Sequence, residues 1–204
     1  MPGRVFLTTP LADVAAALEV PPPDFADAPR LNIAPGQDIV ALDSGGLVHM
    51  RWGMIPVGRV NARGRPVLET IVNARSETVF AKSAFHGVGR AVLPVDGWYE
   101  WTDEKRRKQA WRIRPRDGGL LFFAAITDVW AAPNGARIHQ LATVTCEPNA
   151  DVKAIHHRMA VILDASDVQP WLDGPEDRLD RYMRPWPDGR LLIEPADDVD
   201  WAAP

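Results

Sequence analysis

The chain predicts an α+β fold with a curved, mainly antiparallel sheet and a few peripheral helices. Three observations carry that expectation. Apolar runs of strand length recur throughout the 204 residues, Gly, Pro and Asp punctuate them, and they do not alternate regularly with helical patterns as a parallel sheet requires. The length suits one well-buried core, and no Pro/Gly/Ser-rich linker divides it, so residues 1–204 read as a single domain. Neither an internal repeat nor a low-complexity tract is visible.

Residues 1–9 form a short apolar-polar segment. Thr9 is expected to cap a helix whose first turn accepts Pro10 and which buries Leu11, Val14, Ala15 and Leu18. Pro21-Pro22-Pro23 ends it, because proline lacks the amide donor and clashes with the preceding turn. After a loop to about Arg30, Asn32-Ile33-Ala34-Pro35-Gly36 separates two short strands, and residues 39–42 and 47–52 pair as a hairpin across Asp43-Ser44-Gly45-Gly46. Residues 54–70, rich in Gly, Pro and Arg, read as an extended surface loop. Val79, Phe80, Ala84 and Phe85 fit a short helix from Glu77 closed by Gly87. Strands follow at 90–95, 97–102, 110–114, 120–127 and 137–146, with turns at 103–108 and 116–119. Asn149 is expected to cap a short helix through Ala154, ahead of a strand at 159–163. A helix opened by Asp164 or Ser166, a second over 179–183 and a strand at 191–193 complete the pattern.

The formal charge of −4 argues against indiscriminate nucleic-acid binding, but the charge is unevenly spread. Residues 51–90 hold six arginines and Lys82 against Glu69 and Glu77, a net of +5, whereas residues 164–204 hold eleven acids against four arginines, a net of −7. A basic middle and an acidic C-terminal portion suggest a local anion-binding surface, with solvated loop arginines as the competing reading. No apolar run is long enough to span a membrane, and Cys146 is the lone cysteine, which excludes an intramolecular disulfide. The start of the chain lacks the basic and apolar runs of a signal peptide, so the expected address is cytoplasmic.

Familiar phosphate-loop, dinucleotide and zinc signatures are missing from the sequence. His156 and His157, if in a strand, face opposite sides and cannot chelate one ion, so neither a metal nor a cofactor is expected. Three polar residues in apolar surroundings remain. Glu100, within Trp98-Tyr99-Glu100-Trp101, is a carboxylate that is expensive to bury without a partner or a task. Its plainer fate is an ion pair with Arg75 or Arg158. Asn73 has the alternative of a turn-former, and His156 that of an imidazole satisfied by backbone. Cys146 reads as a core residue, since Val144 and Thr145 give it no cationic activation.

Six segments then occur in order: Pro2-Gly3-Arg4, Asn32-Ile33-Ala34-Pro35-Gly36, Arg51-Trp52-Gly53-Met54-Ile55-Pro56, Asn73-Ala74-Arg75-Ser76-Glu77-Thr78, Leu93-Pro94-Val95-Asp96-Gly97-Trp98-Tyr99-Glu100-Trp101 and Ile155-His156-His157-Arg158-Met159. Together they make the chain resemble the SRAP family, the SOS response-associated peptidases and abasic-site DNA-protein crosslink proteins. The resemblance implies a compact α+β fold with a β-barrel-like core and a positive groove for single-stranded DNA. In that family the initiator Met is removed, and the amine of a cysteine at position 2 attacks the ring-opened aldehyde of an abasic site. The thiol then closes the Schiff base to a stable thiazolidine. Carried over by motif, Asn73 would hold the N-terminal residue or the sugar, Glu100 would move protons, and His156 would assist ring opening. Arg4, Arg75 and Arg158, with Lys82 as a weaker candidate, would take phosphates, while Pro35 and Trp101 would wedge against bases.

This chain departs from the pattern at the decisive position, because residue 2 is Pro. Without a thiol beside the amine, no stable thiazolidine is expected. A milder departure follows Ile55-Pro56, where the family often carries tryptophan and this chain has Val57-Gly58, so one base-stacking platform is missing. Removal of Met1 would nevertheless expose the secondary amine of Pro2, which can condense with an aldehyde to an iminium. Such amines titrate near roughly 8, and Arg4 is expected to lower that. The iminium can then be hydrolysed or undergo β-elimination with Glu100 as base, a lyase reaction. The expected function is therefore abasic-site processing on single-stranded DNA by a monomer with a transient Schiff base. The alternative is a catalytically inactive paralogue that only binds single-stranded or junction DNA. Proteolysis, suggested by the family name, finds no legible Ser/His/Asp or Cys/His pair.

Overall fold

The computed structural model describes residues 2–55, 70–81, 85, 87–104, 107–131 and 134–202. Its strands are β1 (Val5–Leu7), β2 (Arg30–Ile33), β3 (Asp38–Asp43), β4 (Gly46–Trp52), β5 (Asn73–Arg75), β6 (Gly89–Val95), β7 (Gly97–Glu104), β8 (Arg107–Pro115), β9 (Leu121–Ala131), β10 (Arg137–Cys146), β11 (Met159–Ala160), β12 (Ile162–Leu163) and β13 (Leu191–Pro195). Helices α1 (Leu11–Ala17) and α2 (Ala165–Asp173) and a 3-10 helix (Glu176–Tyr182) sit at the periphery.

The larger sheet runs β11-β10-β4-β3-β6-β9-β12, with β5 paired to β10. Because β10 also pairs with β9, the strands β10, β4, β3, β6 and β9 close into a ring, which is the expected curved, antiparallel-rich core. Only β4 and β5 run parallel to β10 among the described pairings. Closure explains why β9 buries six consecutive residues, Leu121 to Ile126, since both faces of the wall are covered. Trp52, Phe123, Leu93, Ile39 and Leu42 are buried in the core on its two faces.

The smaller sheet, β13-β8-β7-β1-β2, lies against this ring. The chain crosses from one sheet to the other between β6 and β7 at Gly97, where a Cβ would meet Ile113 O at 2.3 Å and the Phe6 ring at 2.7 Å. Only glycine lets the backbones come that close. From there β7 alternates: Trp98 packs edge-on against Phe123 in the main core, whereas Tyr99 and Trp101 join a second cluster with Phe6, Ala110, Ala196, Val199 and Trp201. By that alternation Glu100 shares the Trp98 face.

Several local expectations are corrected. Thr9 does not cap α1, because its hydroxyl and amide, like those of Thr8, bind the Asp96 carboxylate, and Pro10 takes the cap position. Asn149 closes a turn through Val152 N rather than an α-helix, and the second C-terminal helix is 3-10. Residues 76–81 form turns in place of the start of the expected helix. The single strand at 159–163 divides into β11 on β10 and β12 on β9, and β7 and β8 extend through Glu104 and Arg107 into what reads as a turn. Most of the Gly/Pro/Arg-rich stretch, residues 56–69, and Lys82 lie outside the described residues.

Candidate functional site

Three strands and one loop converge on the start of the chain. Antiparallel pairing sets Val5 opposite Trp98, and Tyr99 N donates to Arg4 O over 2.9 Å, so continuing this register carries residues 2 and 3 toward Trp101 and Glu100. On the other side β5 lies parallel to β10 with Asn73 beside Thr143. The Thr143 hydroxyl, wholly buried, donates to Asn73 Oδ1, which turns the amide so that Nδ2 donates to Pro2 O at 2.9 Å. Pro2 is itself buried.

Glu100 is 3 % exposed. Burial pushes its carboxyl above the ordinary range, while the positive charge at the chain's N-terminus and the Trp98 indole pull it back. That N-terminal charge also acts on His156. Burial holds this imidazole below its usual value, the N-terminal charge and His157 lower it further, and only the Arg158 backbone opposes them. His156 Nδ1 lies 3.0 Å from Arg158 N and 3.1 Å from Arg158 O, so the Arg158 backbone holds the ring by accepting from its N–H or donating to its lone pair according to the tautomer. Asn73 thus holds the Pro2 carbonyl, while Glu100 and His156 both feel the positive charge of the chain's N-terminus.

His156 and His157 lie in an irregular loop and not in a strand, and their rings stack at 4.3 Å. The expectation that they point apart is therefore overturned. Among the described residues no group of three or more His, Cys, Asp or Glu is placed to hold a metal. Cys146 is buried, and burial raises its thiol to about 12, so it is no thiolate at neutral pH.

The cations divide into two kinds. Arg75 is exposed. Arg158, 8 % exposed, forks onto the Glu77 carboxylate, with Nη2 to Oε2 at 2.9 Å, and also reaches Thr145 O. Thus Glu77, not Glu100, takes the ion pair with Arg158. Arg4 Nη1 donates to Asn32 Oδ1 at 2.5 Å. Pro35 sits half-buried in the turn after β2, and Trp101 is half-buried against Trp201, their centroids 5.1 Å apart. Sequence reading missed Thr143 and Glu77. The first lies unmarked in an alternating strand, and the second stands inside a quoted motif, four residues from Asn73.

A ring of antiparallel-rich strands whose wall binds the Pro2 carbonyl through Asn73, with Glu100 and His156 in the field of the chain's N-terminal charge, defines the class of this protein. Residues 1–199 match the SOS response associated peptidase (SRAP) family, and the chain belongs to it. It is similar to the abasic site processing protein YoaM of Bacillus subtilis, 30% identical over 98% of this chain and 89% of that one. It is also similar to the abasic site processing protein HMCES of Gallus gallus, 30% identical over 75% of this chain and 51% of the larger protein. A solved protein from Bordetella bronchiseptica shares the fold, with a TM-score of 0.79 at 22% identity over 95% of this chain and 98% of that one.

Proposed function

We propose that this single-domain protein binds single-stranded DNA at abasic sites and processes them through a transient Schiff base on Pro2. The observation that carries the reading is the grip of Asn73 on the carbonyl of Pro2, the residue that loss of Met1 would make N-terminal; Glu100 and His156, which both feel the charge of the chain's N-terminus, support it. Loss of Met1 would leave the Pro2 nitrogen as a secondary amine. This amine adds to the C1′ aldehyde of the open sugar, and loss of water gives an iminium. Glu100, its proton affinity raised by burial, removes a C2′ proton, and the C3′–O bond breaks with departure of the phosphate. Water then releases the sugar remnant and restores the amine. His156, held through Nδ1 by the Arg158 backbone, assists opening of the sugar ring. Arg75 and Lys82 take phosphates, together with Arg4 and Arg158, whose first task is to hold the site in shape.

Incubation with abasic single-stranded DNA and borohydride tests this reading. A trapped adduct at Pro2 and nicking without borohydride are expected, whereas neither product would sink it. A second reading, a paralogue that binds DNA without chemistry, is favoured by the burial of Pro2 and the lack of a thiol there. Mass analysis of the N-terminus separates the two, since a retained Met1 blocks the amine. Both readings use a monomer in the cytoplasm that associates with the nucleoid on DNA. No described helix is long and apolar enough to cross a membrane.

A further inference from the structure

The outer face of β7 carries an aromatic cluster that the proposed chemistry leaves unused. After β13 the chain turns back across this face. Ala196 N donates to Ala110 O at 3.0 Å, Gln109 Nε2 reaches Asp197 at 3.1 Å, and Arg112 Nη2 binds both Asp198 oxygens at 2.9 Å. Asn32 Nδ2 donates to Trp201 O at 3.1 Å, while its Oδ1 accepts from Arg4, so one buried amide joins this segment to a residue two places from Pro2. Trp201 stands edge-on to Tyr99 at 4.9 Å and tilted by 58° on Trp101. Both tryptophans keep part of their surface open.

We propose that Trp201 is a base-stacking residue, forming with Trp101 a two-tryptophan wall for an unpaired base beside the abasic nucleotide. The inference rests on the reading of the protein as a binder of abasic single-stranded DNA. The segment is anchored at four places, so the aromatic surface is preorganised and ordering it costs little on binding. With Asp198 neutralised by Arg112, Asp197 and Asp200 repel a phosphate, which favours bases at the wall and leaves the backbone to the cationic side of the groove. A stacking surface here also supplies what Val57-Gly58 cannot.

The test is binding of a dye-labelled single strand containing one tetrahydrofuran abasic analogue, measured over a range of salt. Trp201→Leu, which keeps apolar volume against Tyr99, is expected to weaken binding about 5-fold or more, and Trp201→Tyr to restore most of it. The slope of affinity against salt stays as in the wild type, because no phosphate contact is removed. Undiminished or tighter binding by Trp201→Leu overturns the proposal, tighter binding marking the segment as an acidic competitor for the groove. A second measurement uses the unaltered protein: photocrosslinking from 5-iodouracil next to the analogue is expected on Trp201, and crosslinks confined to other segments overturn the proposal. If the wild type fails to bind at all, the functional reading itself falls. Wild-type binding that ignores Trp201 removes only this inference.

Discussion

Asn73 Nδ2 and the Pro2 carbonyl meet at 2.9 Å across 71 residues of sequence, and this bond ties the start of the chain to β5, which runs beside β10 of the ring. Its geometry depends on Thr143, whose hydroxyl holds the other end of the amide. Asn73→Ala is therefore expected to cut borohydride-trapped adduct at least about 10-fold, in line with loss of a positioning contact at the reacting centre. Thr143→Val should lower adduct formation by less and cost about 1 kcal/mol of stability, because it strands an acceptor in a buried place. Thr143→Ser retains the hydroxyl and should restore both. Adduct yield and thermal unfolding of the three variants check the ordering.

Pro2→Cys supplies the thiol that this chain lacks while leaving Asn73, Glu100 and His156 untouched. A heat-stable adduct with abasic single-stranded DNA is the expected gain, read as a shifted band on a denaturing gel without borohydride. The wild type is expected to give a shifted band only when the reductant is present. Failure of Pro2→Cys to form the stable adduct would mean that the groove, and not merely its nucleophile, has diverged.

The longer strands, unlike the three-residue strands β1 and β5, are legible because their apolar runs are bounded by Gly, Pro and Asp, and β10 is found at the expected limits, Arg137–Cys146. Caps and short helices were less so. Thr9 looks like a cap by residue type, but Asp96, 87 positions away, offers its hydroxyl a better acceptor, and no local pattern reveals that. In the same way the family motifs singled out Asn73 and Glu100, whereas Thr143 and the partner of Arg158 depend on which strand lies beside β5 and which carboxylate faces the loop. Periodicity tells which side of a strand is buried, not which other strand it meets.

Glu100 separates activity from stability. Burial raises its folded-state pKa above the unfolded value, so the folded protein binds this proton more tightly, and stability falls as pH rises between the two values. Glu100→Gln removes that cost and is expected to melt higher than the wild type at pH 7. The same change removes the base for β-elimination and should slow strand scission about 100-fold or more. In the wild type, scission should rise with pH through a carboxyl group that titrates above the ordinary range. Melting curves and a pH-rate profile of nicking provide the two readouts, and a variant that is both less stable and fully active would contradict the assignment.

The Arg158–Glu77 pair fixes the loop that presents His156, since the Arg158 backbone is the hydrogen-bond partner of the imidazole Nδ1. The pair with Arg158 lowers the Glu77 carboxyl from 4.5 to about 2. With a depressed folded-state value, its contribution to stability is complete above about pH 4.5 and is lost as pH falls through about 2. Half of the Glu77 side chain faces solvent, so the contribution is screened and amounts to about 1 kcal/mol or less. Glu77→Gln is accordingly expected to be slightly less stable than the wild type at pH 7, with the difference vanishing toward pH 2. Because the loop then loses its anchor, nicking and trapped adduct should fall several-fold at pH 7 even though Glu77 touches no reacting atom in the proposed mechanism. Chemical unfolding at pH 7, 4 and 2, run beside a nicking assay at pH 7, tests both consequences. A stability gap that persists unchanged at pH 2 would show that the glutamate acts through packing and not through its charge.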